Sequence, residues 1–181
     1  MRYAIFSIFV MLVAAESKPA DADGFDVSVH IAKKEWAEAM SLIAEIADED
    51  GERDFLLGVW YSARGNPGYD ANRATHHMEA ASSKGYMSAK KALIYRYLFT
   101  DNPSVMNIKR GHELAEEYYP FMLDAVDTGK DENSDHLVLL GYFYVYGVVV
   151  NKDVDIGKKY LNQALSNGNA HARHLLIAIG E

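Results

Sequence analysis

Ten residues of this 181-residue chain recur in register 83 positions further on: Leu57/Leu140, Gly58/Gly141, Tyr61/Tyr144, Asp70/Asp153, Ala81/Ala164, Ser83/Ser166, Gly85/Gly168, Ala89/Ala172, Leu93/Leu176 and Ile94/Ile177. Identities strung along a single offset are what remains when a chain is assembled from copies of one supersecondary unit. Each such unit is too small to bury its own apolar stripe and has to stack on the next. That requirement excludes most folds before any other property is weighed.

Apolar spacing within and around the copies is helical. Ile31, Trp36, Ala39, Met40, Ile43, Ala44 and Ala47 predict a first helix over 29–48. The acidic run Asp48-Glu49-Asp50-Gly51 stops it, since carboxylates at a helix C-terminus oppose the dipole. Further helices are predicted over 52–64, 71–83 and 87–99, punctuated by Gly65-Asn66-Pro67-Gly68, by the capping glycine Gly85 and by Asp101-Asn102-Pro103. A longer helix begins near Val105 and runs through Tyr118-Tyr119-Pro120-Phe121; Pro120 has no N–H for the i−4 carbonyl, which predicts a kink or break. The last three helices are predicted over 134–146, 154–166 and 170–179. Gly147-Val148-Val149-Val150 reads as a loop despite its β-branched residues, because it stands where the Gly65 loop stands in the earlier copy. Leu57, Leu93, Leu140 and Leu176 are spaced by 36, 47 and 36 residues, the longer interval absorbing extra chain within Tyr118–Asn133.

At the N-terminus, Arg2 precedes an apolar run from Ala4 to Leu12 and the small-residue exit Val13-Ala14-Ala15, so residues 1–15 read as a secretory signal peptide. That run is too short to span a membrane, which takes about 20 residues. Residues 16–28, with Pro19 and Gly24, are expected to form a flexible linker, and 29–181 the folded domain. The chain has no cysteine, so neither disulfides nor thiolate chemistry is open to it. An export signal without an anchor points to a periplasmic or secreted protein. The formal charge of −8 argues against a nucleic-acid partner, because phosphates repel an acidic surface that lacks a basic patch.

The repeated pattern resembles the Sel-one-like repeats, relatives of the tetratricopeptide repeats. It is carried by Leu57, Gly58, Tyr61, Gly65, Asp70, Ala74, Ala80, Ala81, Gly85 and Ala89 in one copy, and by Leu140, Gly141, Tyr144, Gly147, Asp153, Gly157, Ala164, Gly168 and Ala172 in another. A middle copy around Leu93 departs from it, with Ile94 in place of the glycine and no loop glycine after Phe99. The resemblance implies an all-α fold: an α/α superhelix, or solenoid, of three to four helix-turn-helix repeats. It also implies a protein without catalytic activity, cofactor or metal that binds another protein through its concave face. The role implied is that of an adaptor or scaffold, or of an immunity protein against a secreted bacterial toxin such as a phospholipase effector of type VI secretion.

The residues sort accordingly. Leu57, Gly58, Tyr61, Ala81, Gly85, Ala89, Leu93, Leu140, Gly141, Tyr144, Ala164, Gly168, Ala172 and Leu176 are assigned to packing, the small ones because they let helix backbones approach. In such repeats the first helix lines the concave side, so Trp60, Arg64, Tyr95, Arg96, Tyr142 and Phe143 are the expected partner-binding residues. Their Trp/Tyr/Arg composition is that of binding hot spots. The competing class, a metal-dependent hydrolase using His112, Glu113 and Glu116, shares only the first two residues of a helical zinc motif and lacks its second histidine. His171 and His174 stand three apart with no matching third ligand. Neither a Gly-x-Ser-x-Gly elbow nor a phosphate-binding glycine loop occurs.

Overall fold

The computed structural model describes residues 22–47, 49–100, 102–130 and 134–180, and the signal-peptide reading of residues 1–15 falls outside them. Among the described residues the regular structure is entirely α-helical: α1 (Ala22–Ala32), α2 (Trp36–Glu45), α3 (Glu52–Ser62), α4 (Ala71–Ser83), α5 (Met87–Leu98), α6 (Ile108–Asp127), α7 (Asp135–Tyr146), α8 (Val154–Ser166) and α9 (Ala170–Ala178). The chain divides into two compact units, Met1–Leu114 and Ala115–Glu181.

In the first unit, each helix packs on its successor from α1 to α5, and α1 also touches α3. Here the sequence reading needs two corrections. The single helix expected over 29–48 is two helices, and residues 22–28, expected to be linker, belong to α1. Val27 is fully buried and Ile31 nearly so, one helical turn apart, while Ala39 and Ile43 form a second buried pair. The break between them lets both stripes face one core. Lys34 makes it by taking the left-handed conformation at φ 63, with Glu35 N–H donating to the His30 carbonyl and Lys34 N–H to that of Ile31. These two bonds form a Schellman motif, usually closed by glycine. A 2.7 Å contact between His30 Nδ1 and Glu35 Oε2 closes the turn.

The α3–α4 hairpin shows why the glycines stand where they do. A Cβ on Gly58 would come within 2.6 Å of Met78 Cγ and 3.2 Å of the Ala74 carbonyl oxygen, so α4 lies against the backbone of α3. Asp70 caps α4 by accepting from Asn72 and Arg73 N–H, and its own N–H donates to the Tyr61 carbonyl at 3.0 Å. Tyr61 stacks flat on His77, with ring centroids 5.6 Å apart. At the far end of α4, Gly85 takes φ 90 and closes another Schellman motif through Gly85 N–H to Ser82 and Tyr86 N–H to Ala81.

In the second unit α8 packs on both α7 and α9, and α7 touches α9. Leu137, Val138, Val145, Leu161, Ala164, Ala172 and Leu176 form its core. The contacts of the α3–α4 hairpin recur here 83 residues on. Gly141 faces Leu161 and the Gly157 carbonyl, Asp153 caps α8, Asp153 N–H donates to the Tyr144 carbonyl at 2.8 Å, and Tyr144 stacks on Tyr160 at 5.7 Å. Gly168 repeats Gly85 at φ 92, and Ser134 repeats the left-handed Gly51 ahead of its helix. The connecting loop differs: Val149 sits at φ 64, and Val150 N–H donates to the Val148 carbonyl, a γ-turn of the strained hand on a β-branched residue.

α6 begins at Ile108 rather than Val105 and continues through Pro120, so of the expected kink or break the break does not occur. Leu114, Ala115, Tyr118, Met122 and Ala125 make its buried stripe, while Glu116 and Pro120 are exposed. The carbonyl that Pro120 leaves without an amide is that of Glu116, an exposed residue.

Adding a methyl group at the helix contacts separates rigid from yielding neighbours. A Cβ on Gly157 would meet Cγ2 of the stiff, β-branched Val145 at 2.6 Å and, behind it, backbone at 2.8 Å (Gly141 carbonyl) and 3.0 Å (Val145 N), whereas that on Gly58 meets a flexible methionine at 2.6 Å and backbone only at 3.2 Å. Gly157→Ala should lower stability by about 1–3 kcal/mol through overpacking, and Gly58→Ala by less. Thermal melts of the two variants in which Gly58→Ala costs as much would remove Met78 as the yielding group.

Candidate functional site

The six residues expected to bind a partner have different surroundings. Arg64 is exposed, Trp60 and Tyr142 are half-buried, and Tyr95, Arg96 and Phe143 are buried. Counted from the anchor leucines, Trp60, Arg96 and Phe143 occupy one position and Val59, Tyr95 and Tyr142 another. Both positions face largely inward: Trp60 and Arg96 bond to backbone carbonyls of the preceding helices α2 and α4, and Phe143 lies near Tyr119 of α6. Tyr95, Arg96 and Phe143 are therefore packed within their units.

In the first unit, Trp60 and Arg96 are each tied to a backbone carbonyl. The Trp60 indole N–H donates to the Trp36 carbonyl at 3.1 Å, and its ring lies on Gly68. Asn66 holds the loop against α3 by donating to the Trp60 carbonyl and accepting from Gly68 N–H. Arg96 Nε donates to Thr75 Oγ1 at 2.7 Å and its Nη2 to the Ala71 carbonyl at 2.6 Å, so the guanidinium spans the first turn of α4. Burial pulls its pKa below the ordinary arginine range, partly offset by Tyr69 and Tyr97. Beside it, Arg110 grips Glu79 through Nε and Nη2, and the Tyr97 hydroxyl donates to Glu79 at 2.7 Å. Burial, the bond to Glu79 and that carboxylate's charge raise the Tyr97 pKa.

The second unit carries a cluster of phenols. Tyr142 and Tyr146 are 4.5 Å apart between ring centroids, and Tyr146 and Val149 are both exposed. Burial first, then a hydrogen bond between the Tyr119 and Tyr144 hydroxyls, pushes the Tyr119 pKa up to about 12. Burial also raises Tyr142 and Tyr160. The sequence reading passed over Tyr119, Tyr160 and His77 in this role. Their signal was present in the offset, since His77 and Tyr160 are 83 apart and meet the repeated tyrosines Tyr61 and Tyr144.

Of the hydrolase candidates, Glu113 is paired with Lys109 and Arg110, and Glu116 is exposed. Among the described residues no three histidine or acidic side chains are grouped to hold a metal ion. His171 is kept below its ordinary range by burial, with Asp135 pulling the other way. No family model, no curated protein and no solved structure matches this chain. No described helix is long and apolar enough to cross a membrane.

The folded chain holds the Tyr119 proton more tightly than an unfolded chain, where a phenol loses it near pH 10. The stabilisation is complete below that pH and disappears as pH rises towards about 12. Melting temperature should fall over this window, and Tyr119→Phe should flatten the fall. Parallel curves for the two proteins would show that Tyr119 titrates as an unperturbed phenol.

Proposed function

We propose that this chain is an exported, non-catalytic helical-repeat protein of the Sel-one-like kind, stacked as a solenoid, whose work is to bind another protein. The observation that carries the reading is the recurrence of one hairpin geometry, from glycine contact and aspartate cap to stacked ring, 83 residues apart. Stacked hairpins of this kind offer extended surfaces rather than closed pockets. An adaptor, or an immunity protein that covers a toxin, needs such a surface and no chemistry of its own.

The residues with surface to give differ from those the sequence pointed to. In the first unit they are Arg64, the outer edge of Trp60 and Tyr69, which is half exposed; in the second, Tyr142, Tyr146 and Val149. Tyrosine, tryptophan and arginine at partly desolvated positions are the residue types that dominate binding energy.

A photo-crosslinking amino acid placed at Arg64 or Tyr146, in the cells that make the protein, should trap the same discrete partner. The same probe at Gln163, exposed on α8, should not. Failure to trap a protein at the first two positions, or equal trapping at all three, would overturn the reading.

A further inference from the structure

Arg96 is the most buried arginine described, only 4% exposed, yet no carboxylate of the described residues lies within ion-pair distance of it. The contrast inside its own unit is sharp. Arg110, with a third of its side chain exposed, has Glu79 at 3.1 Å and Glu113 at 3.4 Å, and Lys84 has Asp54 at 3.0 Å. Water would have screened those more exposed cations, and they have partners. Arg96, which water barely reaches, has two neutral acceptors, the Ala71 carbonyl and the Thr75 hydroxyl. The side chains that act on its charge are the phenols of Tyr69 and Tyr97. An ion held in a protein interior without a counter-charge is costly by several kcal/mol.

Asp70, next to Ala71, does not meet the demand. Its Oδ1 accepts from Asn72 and Arg73 N–H, and Oδ2 lies 4.0 Å from Arg73 Nε. A guanidinium has five N–H donors. Arg96 commits Nε and one Nη2 hydrogen, which leaves the second Nη2 hydrogen and one Nη1 hydrogen side by side along one edge, the other Nη1 hydrogen pointing back toward Cδ. Nη1 is not sealed from solvent. Two parallel N–H groups on a planar edge match the two oxygens of a carboxylate. An edge so little exposed favours the smaller, flat carboxylate over a tetrahedral phosphate.

We propose that the free edge of Arg96, above the first turn of α4 and beside Tyr69, is a socket for one carboxylate, supplied by an acidic side chain or C-terminus of a bound protein segment. Only the source of the carboxylate rests on the protein-binding reading above; the socket itself rests on the unbalanced charge. Tyr69 follows Gly65, Pro67 and Gly68 in a loop of turn residues, so the side chain bordering the socket sits on a segment suited to meet a partner. The socket also accounts for a buried arginine where the same position in the other copies carries tryptophan and phenylalanine.

The test is a titration of the full 15N-labelled chain, following arginine Nε–H resonances, with sodium acetate, sodium chloride and sodium phosphate at constant ionic strength. Acetate should shift the Arg96 resonance saturably and leave Arg64 and Arg73 unsaturated; chloride should not, and phosphate should act more weakly. No saturable shift with acetate, or an equal response to phosphate, would overturn the socket. N-acetyl-aspartate amide and N-acetylalanine then separate the sources. Binding about tenfold tighter than acetate, about 1.4 kcal/mol, supports a protein segment, whereas equal binding overturns that source and leaves the socket to a small free acid. Arg96→Lys keeps the charge but loses the fork, and should abolish the acetate-dependent rise in melting temperature. The wild-type titration decides the matter even where that variant does not fold.

Discussion

The close approach of paired helices at glycine is the contact on which each unit depends. At Gly58 and Gly141 the partner helix lies where a side chain would otherwise stand, with a carbonyl of that helix at 3.2 or 3.1 Å from the missing Cβ. At such separation the rest of the hairpin follows. The tyrosine one turn on can lay its ring on the facing residue, His77 in one copy and Tyr160 in the other, and its carbonyl receives the N–H of the capping aspartate. A bulkier residue at the glycine would part the helices and break all three contacts together. This coupling explains why the identities in the sequence fall at Leu-Gly-x-x-Tyr and at a distant aspartate, while the residues between them vary.

How far the sequence could be read follows from where the chain uses common signals. Helices α4 and α8 begin and end where expected, over 71–83 and 154–166, because Asp70, Asp153, Gly85 and Gly168 are standard caps used in the standard way. The break between α1 and α2 was hidden because Lys34 holds a left-handed position that a reader assigns to glycine or asparagine. Pro120 misled in the opposite direction. A proline on the exposed face of a helix gives up one bond, here to the carbonyl of the exposed Glu116, so the expected break has no driving force. For the candidate site, residue types were legible and their direction was not. A helical wheel places Tyr95, Arg96 and Phe143 beside the structural tyrosines, but only the neighbouring helices decide that they are buried.

Charge arrangement ties the first unit together in a different manner. Glu79 collects Arg110 and Tyr97, and Asp54 collects His77 and Lys84, so each carboxylate joins different helices or a helix and a loop. Arg96 joins α5 to α4 through neutral groups instead. The two guanidinium groups thus differ: Arg110 is matched by the carboxylates of Glu79 and Glu113, and Arg96 by neutral acceptors.

The loop of the second hairpin has a consequence for how the two copies come apart. In the first copy the corresponding position is Asn66, whose side chain ties the loop to α3 and to Gly68. In the second it is Val149, which has no such bonds and holds a backbone angle that costs roughly 1–2 kcal/mol for an L-residue. Opening the first loop breaks bonds, and opening the second releases strain. The hairpin of α7 and α8 is therefore expected to fray first at its valine tip, exchanging amide hydrogens there sooner than its counterpart does, although the helices on either side are packed by the same contacts.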